Sequence, residues 1–333
     1  MKSYPTLKEV SAKAGVSTAL ASVVLNGKKS RIMASAATRE RILAAAAALG
    51  YEPDRNARGL RLSRSFLVGV LAYDISSSFV PEIITGIENT FLHTNYNILL
   101  GSYHNPGELH ERLELFRKRK ADALIVISPA LRGIETELAG FSHTVKVLVG
   151  QKLDLPRSAS VAADREAIGR LAARSLYERG HRHPAYLVNV SCSHAGWDDE
   201  WAARGVPKRD LVTVECRNFF SEGEAAATAL LTAHPEVTAV FADSDILAAA
   251  AVKSALALGR RVPEDLAVLG TDDSDLCRMT TPTLSSIRQL KRERGEIAAR
   301  MVLDLLEDRA APDVMLSGEL VARESLNPVR PQL

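Results

Sequence analysis

The sequence of 333 residues predicts a small all-α headpiece followed by an α/β core with two doubly wound parallel-sheet subdomains. Two observations support this fold class. Before residue 53, apolar residues recur at helical spacing between cap residues and glycines. From Phe66 onward, short apolar runs of strand length alternate with amphipathic helical stretches. The chain is long enough for more than one domain with its own core.

Charge is distributed unevenly along the chain. Residues 1–65 contain 12 Lys and Arg against 4 Asp and Glu, whereas the remainder contains 30 against 36. The net charge of +2 therefore combines a basic head with a mildly acidic body. Because neutralisation of phosphates dominates nucleic-acid affinity, the basic head predicts a nucleic-acid partner.

The sequence contains no signal for a membrane span, for export or for disulfide bonds. No run of about 18 apolar residues could span a membrane, and the N-terminus lacks the apolar core of an export signal. Cys192, Cys216 and Cys277 lie far apart without metal-ligand spacing, which fits free thiols in a reducing compartment. We therefore expect a cytoplasmic protein.

Enzymatic motifs are also missing. No phosphate loop, GxSxG elbow or CxxC motif occurs, so the sequence predicts no enzyme, no catalytic residue and no cofactor. Asp272, Asp273 and Asp275 could be considered as metal ligands, but carboxylates at strand ends more often cap the next helix. We expect no metal site.

The first two helical segments meet at Gly15. Thr6 is an N-cap candidate for a helix that continues to Ala14, and Ser17 is one for a second helix that continues to about Asn26. In the second helix, one face packs inward with Leu20, Ala21, Val24 and Leu25, and the other points outward with Thr18, Ala19, Ser22, Val23 and Asn26. Such a pair is either an ordinary helical hairpin or a helix-turn-helix whose second helix enters the major groove, and the basic charge favours the latter.

A basic loop and a third helix complete the predicted headpiece. The loop carries Lys28, Lys29 and Arg31, which we expect to position the domain on phosphates. The helix is predicted from about Thr38 to Leu49. Its apolar stripe is predicted to contain Ile42, Leu43, Ala46 and Leu49.

Residues 53–65 are too polar for a core helix and too short for a domain. Arginines recur there at every third position: Arg55, Arg58, Arg61 and Arg64. We expect a charged linker without DNA and a hinge helix with DNA, in which Leu60 could act as an apolar wedge in the minor groove.

The core is predicted from its apolar runs. Strands are expected at FLVGVLA, NILLG, ADALIVIS, VKVLVG, SVAA, PAYLVNV, LVTVE, AVFAD and LAVLG. Helices are expected at Val80–His93, Glu108–Lys118, Asp164–Arg179, Ser221–Thr232 and Asp245–Leu258. Ligands of such folds bind at the carboxyl ends of strands, so the loops after Ala72, Gly101, Ser128, Val190, Ala242 and Gly270 should converge on a cleft.

In this order, the motifs resemble the lactose repressor (LacI/GalR) family of transcriptional regulators. The most specific pieces are TLKEVSAKAGVS with VVLNG, TRERILAAAAALGYEPDRNARGLR, VGVLAYDISSSF, YERGHR, the FADSDILAAAAVKSALALGRRVPEDLAVLGTDD stretch and PTLSSI. The resemblance implies a periplasmic-binding-protein-like core, a homodimer on a palindromic DNA operator, a hinge helix and a small-molecule effector between the core subdomains.

The resemblance also implies domain boundaries. The headpiece is expected at residues 1–52, the hinge at 53–65 and the effector-binding and dimerisation core at 66–333. Because the chain crosses between subdomains three times, subdomain one is expected at about 66–160 and 290–318. Subdomain two is expected at about 161–289 and 319–333.

The recognition helix departs from the family pattern. It reads VSTALASVVLNG where relatives usually have VSxxTVSRVLNG, so Val23 replaces an arginine that would reach guanine. We expect an operator half-site that is more A·T-rich or less stringent. The full set of expected DNA-binding residues is Thr6, Ser17, Thr18, Ala19, Ser22, Val23, Asn26, Lys28, Arg31, Arg55, Arg58, Leu60 and Arg61.

The effector site departs further. The resemblance implies contacts from Tyr73, Ser76, Phe79, Asp164, Ser193, Phe219, Ser244 and Asp272, with the phenylalanines also explicable as core. Ser193 stands where relatives carry an arginine, and the usual Ala-Asn-Asp reads Ala242, Asp243, Ser244, Asp245. Without those donors a buried Asp272 needs a cationic or hydroxyl partner. This reasoning predicts an effector that is cationic or more apolar than a hexose, or no effector.

The predicted function is a sequence-specific DNA-binding regulator, most simply a repressor, that binds an operator as a homodimer and responds to a small molecule. Two alternatives stay open. One is a DNA-binding regulator without an effector, and the other is a cytoplasmic small-molecule binding protein without a regulatory role.

Overall fold

A computed structural model describes residues 5–25, 34–51, 64–75, 79–128, 134–189 and 195–326. The chain divides into two compact units, Met1–Ser65 and Phe66–Leu333. In the described part of the chain, no helix has the length and apolar character needed to cross a membrane.

The first unit contains three described helices around one small core. They are α1 at Leu7–Ala14, α2 at Thr18–Leu25 and α3 at Ala36–Leu49. Their buried apolar side chains form one cluster: Val10, Ala14, Ala21, Val24, Ile42, Ala45 and Ala46. Small residues dominate this cluster, which lets the three short helices approach one another closely.

Helix α3 differs from its prediction in two ways. It begins at Ala36 rather than at Thr38, because the Ser35 side chain caps it by accepting a hydrogen bond from the Thr38 amide at 3.2 Å. The prediction for Leu43 was wrong, since Leu43 is 49% exposed and Ala45 is buried instead. At about 100° per residue, Ile42, Ala45 and Ala46 lie within one arc of about 100°, and Leu43 lies outside this arc.

The first sheet of the core has six parallel strands in the order β11-β5-β4-β3-β1-β2. Its strands are β1 Leu67–Tyr73, β2 Asn97–Tyr103, β3 Ala123–Ile127, β4 Val145–Val149, β5 Ser158–Ala163 and β11 Val314–Leu316. Helices cover both faces: α4 Val80–Phe91 and α12 Lys291–Leu306 on one, α5 Pro106–Lys118 and α6 Glu135–Ala139 on the other. Both faces of β3 and β4 are buried, which explains the continuous apolar sequence of β3. Strand β4 is apolar except for Lys146, whose Nζ donates hydrogen bonds to the carbonyl oxygens of Phe141 and Thr144.

The second sheet also has six strands, in the order β12-β10-β9-β8-β6-β7. Its strands are β6 Pro184–Asn189, β7 Val212–Cys216, β8 Ala239–Ala242, β9 Ala267–Asp272, β10 Ser285–Arg288 and β12 Glu319–Val321. All of them run parallel except the edge strand β12, which pairs antiparallel with β10. The covering helices are α7 Arg165–Glu178, α8 Ala195–Ala203, α9 Phe220–Ala233 and α10 Asp245–Ala257, and a short helix α11 spans Leu276–Met279.

The chain passes between the two sheets three times in the described residues. It leaves the first sheet after β5, returns after β10 through helix α12, and leaves again between β11 and β12. Each sheet therefore receives one strand from the last part of the described chain. Of the predicted free thiols, Cys216 and Cys277 are buried and unbonded, and Cys192 lies outside the described residues.

Candidate functional site

The N-terminus of α1 is fixed by a reciprocal pair of hydrogen bonds. The Thr6 hydroxyl accepts from the Glu9 amide at 3.3 Å, and the Glu9 carboxylate accepts from the Thr6 amide at 2.6 Å. The hydrogen bonds that the Glu9 carboxylate accepts from the Thr6 amide, and secondly from the Thr6 hydroxyl at 2.9 Å, lower the pKa of Glu9. The helix ends at Gly15, whose φ of +64° is the left-handed conformation that suits glycine.

Helix α2 begins directly after this turn. The Ser17 hydroxyl accepts from the Leu20 amide at 3.2 Å, and the Thr18 hydroxyl lies 3.3 Å from the Ser11 hydroxyl of α1. Ala21 and Val24 point into the headpiece core, as the spacing predicts. The N-terminal face of α2 remains accessible through Ser17, Thr18 and Ala19, with Ser22 and Val23 half-buried. Two packed helices that are joined by a tight turn, with one face of the second helix accessible, form a helix-turn-helix.

Several predicted DNA-binding residues lie outside the described residues. They are Asn26, Lys28, Arg31, Arg55, Arg58, Leu60 and Arg61. The same holds for Ser76 and Ser193 among the predicted effector contacts.

Two aromatic residues predicted to contact effector lie near the strand ends of the first sheet. Tyr73 ends β1, is 40% exposed and meets the ring of Tyr103 edge-on at 5.5 Å between centroids. Burial raises the pKa of Tyr103, whose hydroxyl lies 3.4 Å from that of Ser128. Phe79 precedes α4 and packs against the core cluster of the first sheet. Phe79 is half-buried, so Tyr73 offers the more accessible ring of the two.

Three predicted effector residues occupy the starts of helices. Asp164 caps α7 by accepting from the Ala167 amide at 2.8 Å, and Ser244 caps α10 by accepting from the Leu247 amide at 3.2 Å. Phe219 precedes α9 and is 59% exposed. The two caps thus have a structural role, while the Phe219 ring remains accessible.

Asp272 ends strand β9 with a φ of +121°, and its side chain is only 11% exposed. Its Oδ1 lies 3.2 Å from Nζ of Lys291 and accepts a hydrogen bond from Nε2 of Gln289 at 3.1 Å. Burial raises the pKa of Asp272 to about 6, because lost solvation outweighs the attraction of Lys291. Lys291 is therefore the cationic partner of Asp272, and no effector is needed for that role. The argument for a cationic effector does not hold.

The sequence analysis missed the partners of the neighbouring carboxylates. Asp243 pairs with Arg165 at 3.1 Å and accepts from the Tyr186 hydroxyl at 3.1 Å. Asp273 pairs with Arg288 at 2.7 Å and also with Arg323. Asp245 is buried and accepts hydrogen bonds from the Ser274 amide and hydroxyl and from the Ser286 hydroxyl. These carboxylates are satisfied within the chain, and the described residues contain no acidic or His/Cys cluster that could hold a metal ion.

The first turn of α12 also escaped the sequence analysis. Lys291 is 2% exposed, and its Nζ lies 3.8 Å from Glu82 of α4 in addition to its contact with Asp272. Arg294 is 5% exposed, and burial lowers the pKa of its guanidinium to about 10. The only signal in the sequence was the pair of cations three positions apart at the start of a helix that otherwise packs on the core.

Two depressions occur among the described residues of the core. One, of about 250 Å³, is lined by charged residues of β9, β10, α4 and α12, including Asp272, Arg288 and Lys291. The other, of about 630 Å³, is a shallow groove along the outer face of α9, from Ser221 to Ala233. Only the first adjoins the carboxyl ends of strands, where ligands of doubly wound sheets bind.

A helix-turn-helix headpiece and a core of two doubly wound sheets crossed three times by the chain define a DNA-binding regulator with a periplasmic-binding-protein-like core. Residues 6–54 match the family described as bacterial regulatory proteins, lacI family, and residues 173–326 match a periplasmic binding protein-like domain. The chain belongs to the lacI family.

Named relatives agree with this assignment. The chain is 30% identical to the HTH-type transcriptional repressor PurR of Erwinia tasmaniensis, over 91% of each chain. It is also 30% identical to the HTH-type transcriptional regulator GalR of Escherichia coli, over 97% of this chain and 96% of GalR. These relatives are transcriptional regulators, in agreement with the prediction of a regulator and not of an enzyme.

Solved structures show the same fold. A complex of the transcriptional regulator CelR with cellobiose matches at 28% identity and a TM-score of 0.72, covering 96% of this chain and 99% of CelR. The lac repressor dimer bound to operator and the anti-inducer ONPF matches at 24% identity and a TM-score of 0.83, covering 98% and 100%.

Proposed function

We propose that this protein is a transcriptional repressor that binds a palindromic DNA operator as a homodimer and is modulated by a small molecule in its core. The observation that carries the proposal is the accessible N-terminal face of α2, held by the Thr6 and Ser17 caps and by the Thr18–Ser11 contact. Side chains at that end of a recognition helix are the ones that contact base edges. Because its proposed target is DNA, we also propose that the protein is cytoplasmic.

The proposed domain boundaries follow from the same reasoning. The headpiece would be residues 1–52, the hinge 53–65 and the core 66–333. Thr18, Ala19, Ser22 and Val23 would contact bases, and the basic residues of the loop and hinge would contact phosphates. Because Val23 can offer only an apolar contact, we propose a half-site with little dependence on guanine opposite that residue.

Exposed apolar side chains on both halves of the core support the homodimer. Leu92 and Leu100, beside α4 and on the edge strand β2, are 74% and 40% exposed. Leu256 and Met279, near the ends of α10 and α11, are 49% and 76% exposed. A second copy of the chain would cover such groups, and a two-fold dimer matches the symmetry of a palindromic operator.

Modulation by an effector is supported by the 250 Å³ depression beside Asp272 and by the charged contacts between α12 and β9. CelR, a relative of similar fold, binds cellobiose. A ligand that favours one arrangement of the two core subdomains over another would change operator affinity by linkage.

The function can be tested by selecting duplexes from random DNA with the full-length protein and measuring their affinity by fluorescence anisotropy at several salt concentrations. We expect a selected sequence with two-fold symmetry. The logarithm of the affinity should fall by about 0.9 per contacted phosphate for each logarithmic unit of salt. Failure to bind any duplex at low salt would overturn the proposal.

A further inference from the structure

Arg294, in the first turn of α12, is a buried cation without a complete set of partners. The residue is 5% exposed, and its Nε has no hydrogen-bond partner in the described part of the chain. This Nε–H is one of the five N–H donors of the guanidinium, and burying it without an acceptor is unfavourable. Such a group requires either a partner inside the chain or one from outside.

The charges around Arg294 do not supply that partner. Asp272 attracts it, but Asp272 is already paired with Lys291 at 3.2 Å and hydrogen-bonded to Gln289 at 3.1 Å. Arg165 acts in the opposite sense and repels it. Glu82 also attracts Arg294, but its side chain is 50% exposed. Lost solvation therefore exceeds the attraction, and the pKa of Arg294 falls to about 10.

Arg294 also lies where this fold binds ligands. Arg294 follows Lys291 by one helical turn on α12, and Nζ of Lys291 lies 3.2 Å from Asp272 at the end of β9. Arg165, whose charge also acts on Arg294, is held by Asp243 directly after β8. Both positions are carboxyl ends of adjacent parallel strands in the second sheet. Helix α12 itself packs on the first sheet, so Arg294 brings a cation from one half of the core to the strand ends of the other.

We propose that Arg294 binds the oxyanion of the effector, so that the effector is a small molecule with a carboxylate or phosphate group. This inference rests on the proposed function and names the chemical class of its ligand. A planar guanidinium matches a carboxylate or phosphate with two parallel hydrogen bonds. The oxyanion would satisfy the donors of Arg294 and reduce the repulsion from Arg165.

The test measures thermal unfolding of the full-length protein in acetate, inorganic phosphate and chloride at equal ionic strength. Acetate and phosphate carry the oxyanion without the rest of an effector, and they represent the two sources of an oxyanion. The variants are Arg294→Met, which keeps the length of the side chain, and the control Arg300→Met on the same helix, where the side chain is 55% exposed.

We expect acetate or phosphate to raise the unfolding temperature of the wild type and of Arg300→Met more than that of Arg294→Met. The concentration that gives half of the specific effect should increase at least about tenfold in Arg294→Met. A specific effect with acetate alone identifies a carboxylate, and one with phosphate alone identifies a phosphate. Equal shifts in all three proteins would reflect general salt stabilisation and would overturn the inference.

A second measurement covers the role of Arg294 without ligand. In chloride, Arg294→Met should unfold at the same temperature as the wild type or higher, because it removes a buried charge that lacks hydrogen bonds. A decrease of several degrees would identify Arg294 as a structural counter-ion of Asp272, and the inference would fail.

Binding of the selected duplex in chloride tests the proposed function separately. A protein that binds DNA but shows no difference between acetate, phosphate and chloride disproves only the oxyanion site.

Discussion

Asp272 ends strand β9 of the second sheet and contacts Lys291 of helix α12, which packs on the first sheet. Its carboxylate has one cation, Lys291, and one amide donor, Gln289, yet its pKa is raised to about 6 by burial. The ion pair between Asp272 and Lys291 of α12 therefore depends on the protonation state of Asp272. Small changes around this carboxyl should affect the stability of the core.

Replacing Asp272 with asparagine should change the pH dependence of stability. Between the ordinary pKa of 3.8 and the folded value of about 6, the folded state keeps a proton that the unfolded state has lost. By linkage, the wild type should lose up to about 3 kcal/mol relative to Asp272→Asn as pH rises through this window. Denaturant unfolding of both proteins from about pH 4 to 7 measures the difference. A relative stability that stays constant or increases with pH would contradict the assignment.

Val23 allows a second prediction for a single residue. Val23→Arg should strengthen binding to half-sites that carry guanine opposite position 23 by about 1 to 3 kcal/mol, since arginine contacts two acceptors of guanine. The variant and the wild type should be compared by selection from random DNA. If the wild type already requires guanine there, Val23 does not face that base.

At the scale of elements, the crossing of α4 and α12 determines how the first sheet is covered. Gly86 and Gly295 face the opposing backbone so closely that a Cβ at either position would overlap a carbonyl oxygen, of Arg292 or Ile83 respectively. Two helices can approach this closely only where side chains are absent. The same contact brings Lys291 within reach of Glu82.

Gly295→Ala should therefore destabilise the core by about 2 kcal/mol or more, because backbone rather than a flexible side chain must move. The matched control is Gly107→Ala in the first turn of α5, where the new methyl group would meet only the Asn105 side chain at 3.3 Å. The control should cost much less than Gly295→Ala, because only the Asn105 side chain, which caps α5, has to shift by a few tenths of an ångström. Denaturant unfolding of both variants measures the difference, and equal effects would contradict the close crossing.

Elements with regular apolar spacing were predictable from the sequence, including α1, α2, α4 and strands β1 to β4. The caps Thr6 and Ser17 were predictable for the same reason, since their hydrogen bonds are local. The sequence did not predict helices α6, α8, α11 and α12 or strands β10, β11 and β12. Most of these segments are short and depend on distant partners, whereas α12 begins with four consecutive charged residues, 291–294. The buried cations of α12 were also missed, since a charged run normally indicates a solvated surface and only the close helix crossing buries them.

At the scale of the whole molecule, the proposed role requires headpiece, hinge and core to act together on DNA. We expect the core to fold without DNA, whereas the basic segment from Arg55 to Arg64 would act only on the duplex. Its contribution should appear in DNA affinity and not in core stability.

Arg58→Ala should weaken operator binding and reduce the salt slope by about one unit if Arg58 contacts a phosphate. The control is Arg209→Ala on the core, where the side chain is 85% exposed. Anisotropy at several salt concentrations gives both quantities, and thermal unfolding of the core should be unchanged in either variant. Operator affinity equal to that of the wild type would show that the hinge assignment is wrong.

Strands β11 and β12 are the last described strands of the chain, and each belongs to a different sheet, which has a consequence for biosynthesis. Each sheet takes an edge strand from residues beyond 313, so neither half of the core is complete while those residues are still inside the ribosome. The nascent chain must carry two open sheet edges until residues 314–321 have left the ribosome. Both halves should therefore complete their sheets together, and a nascent chain that stalls before these residues would expose both edges to chaperones or to other unfinished chains.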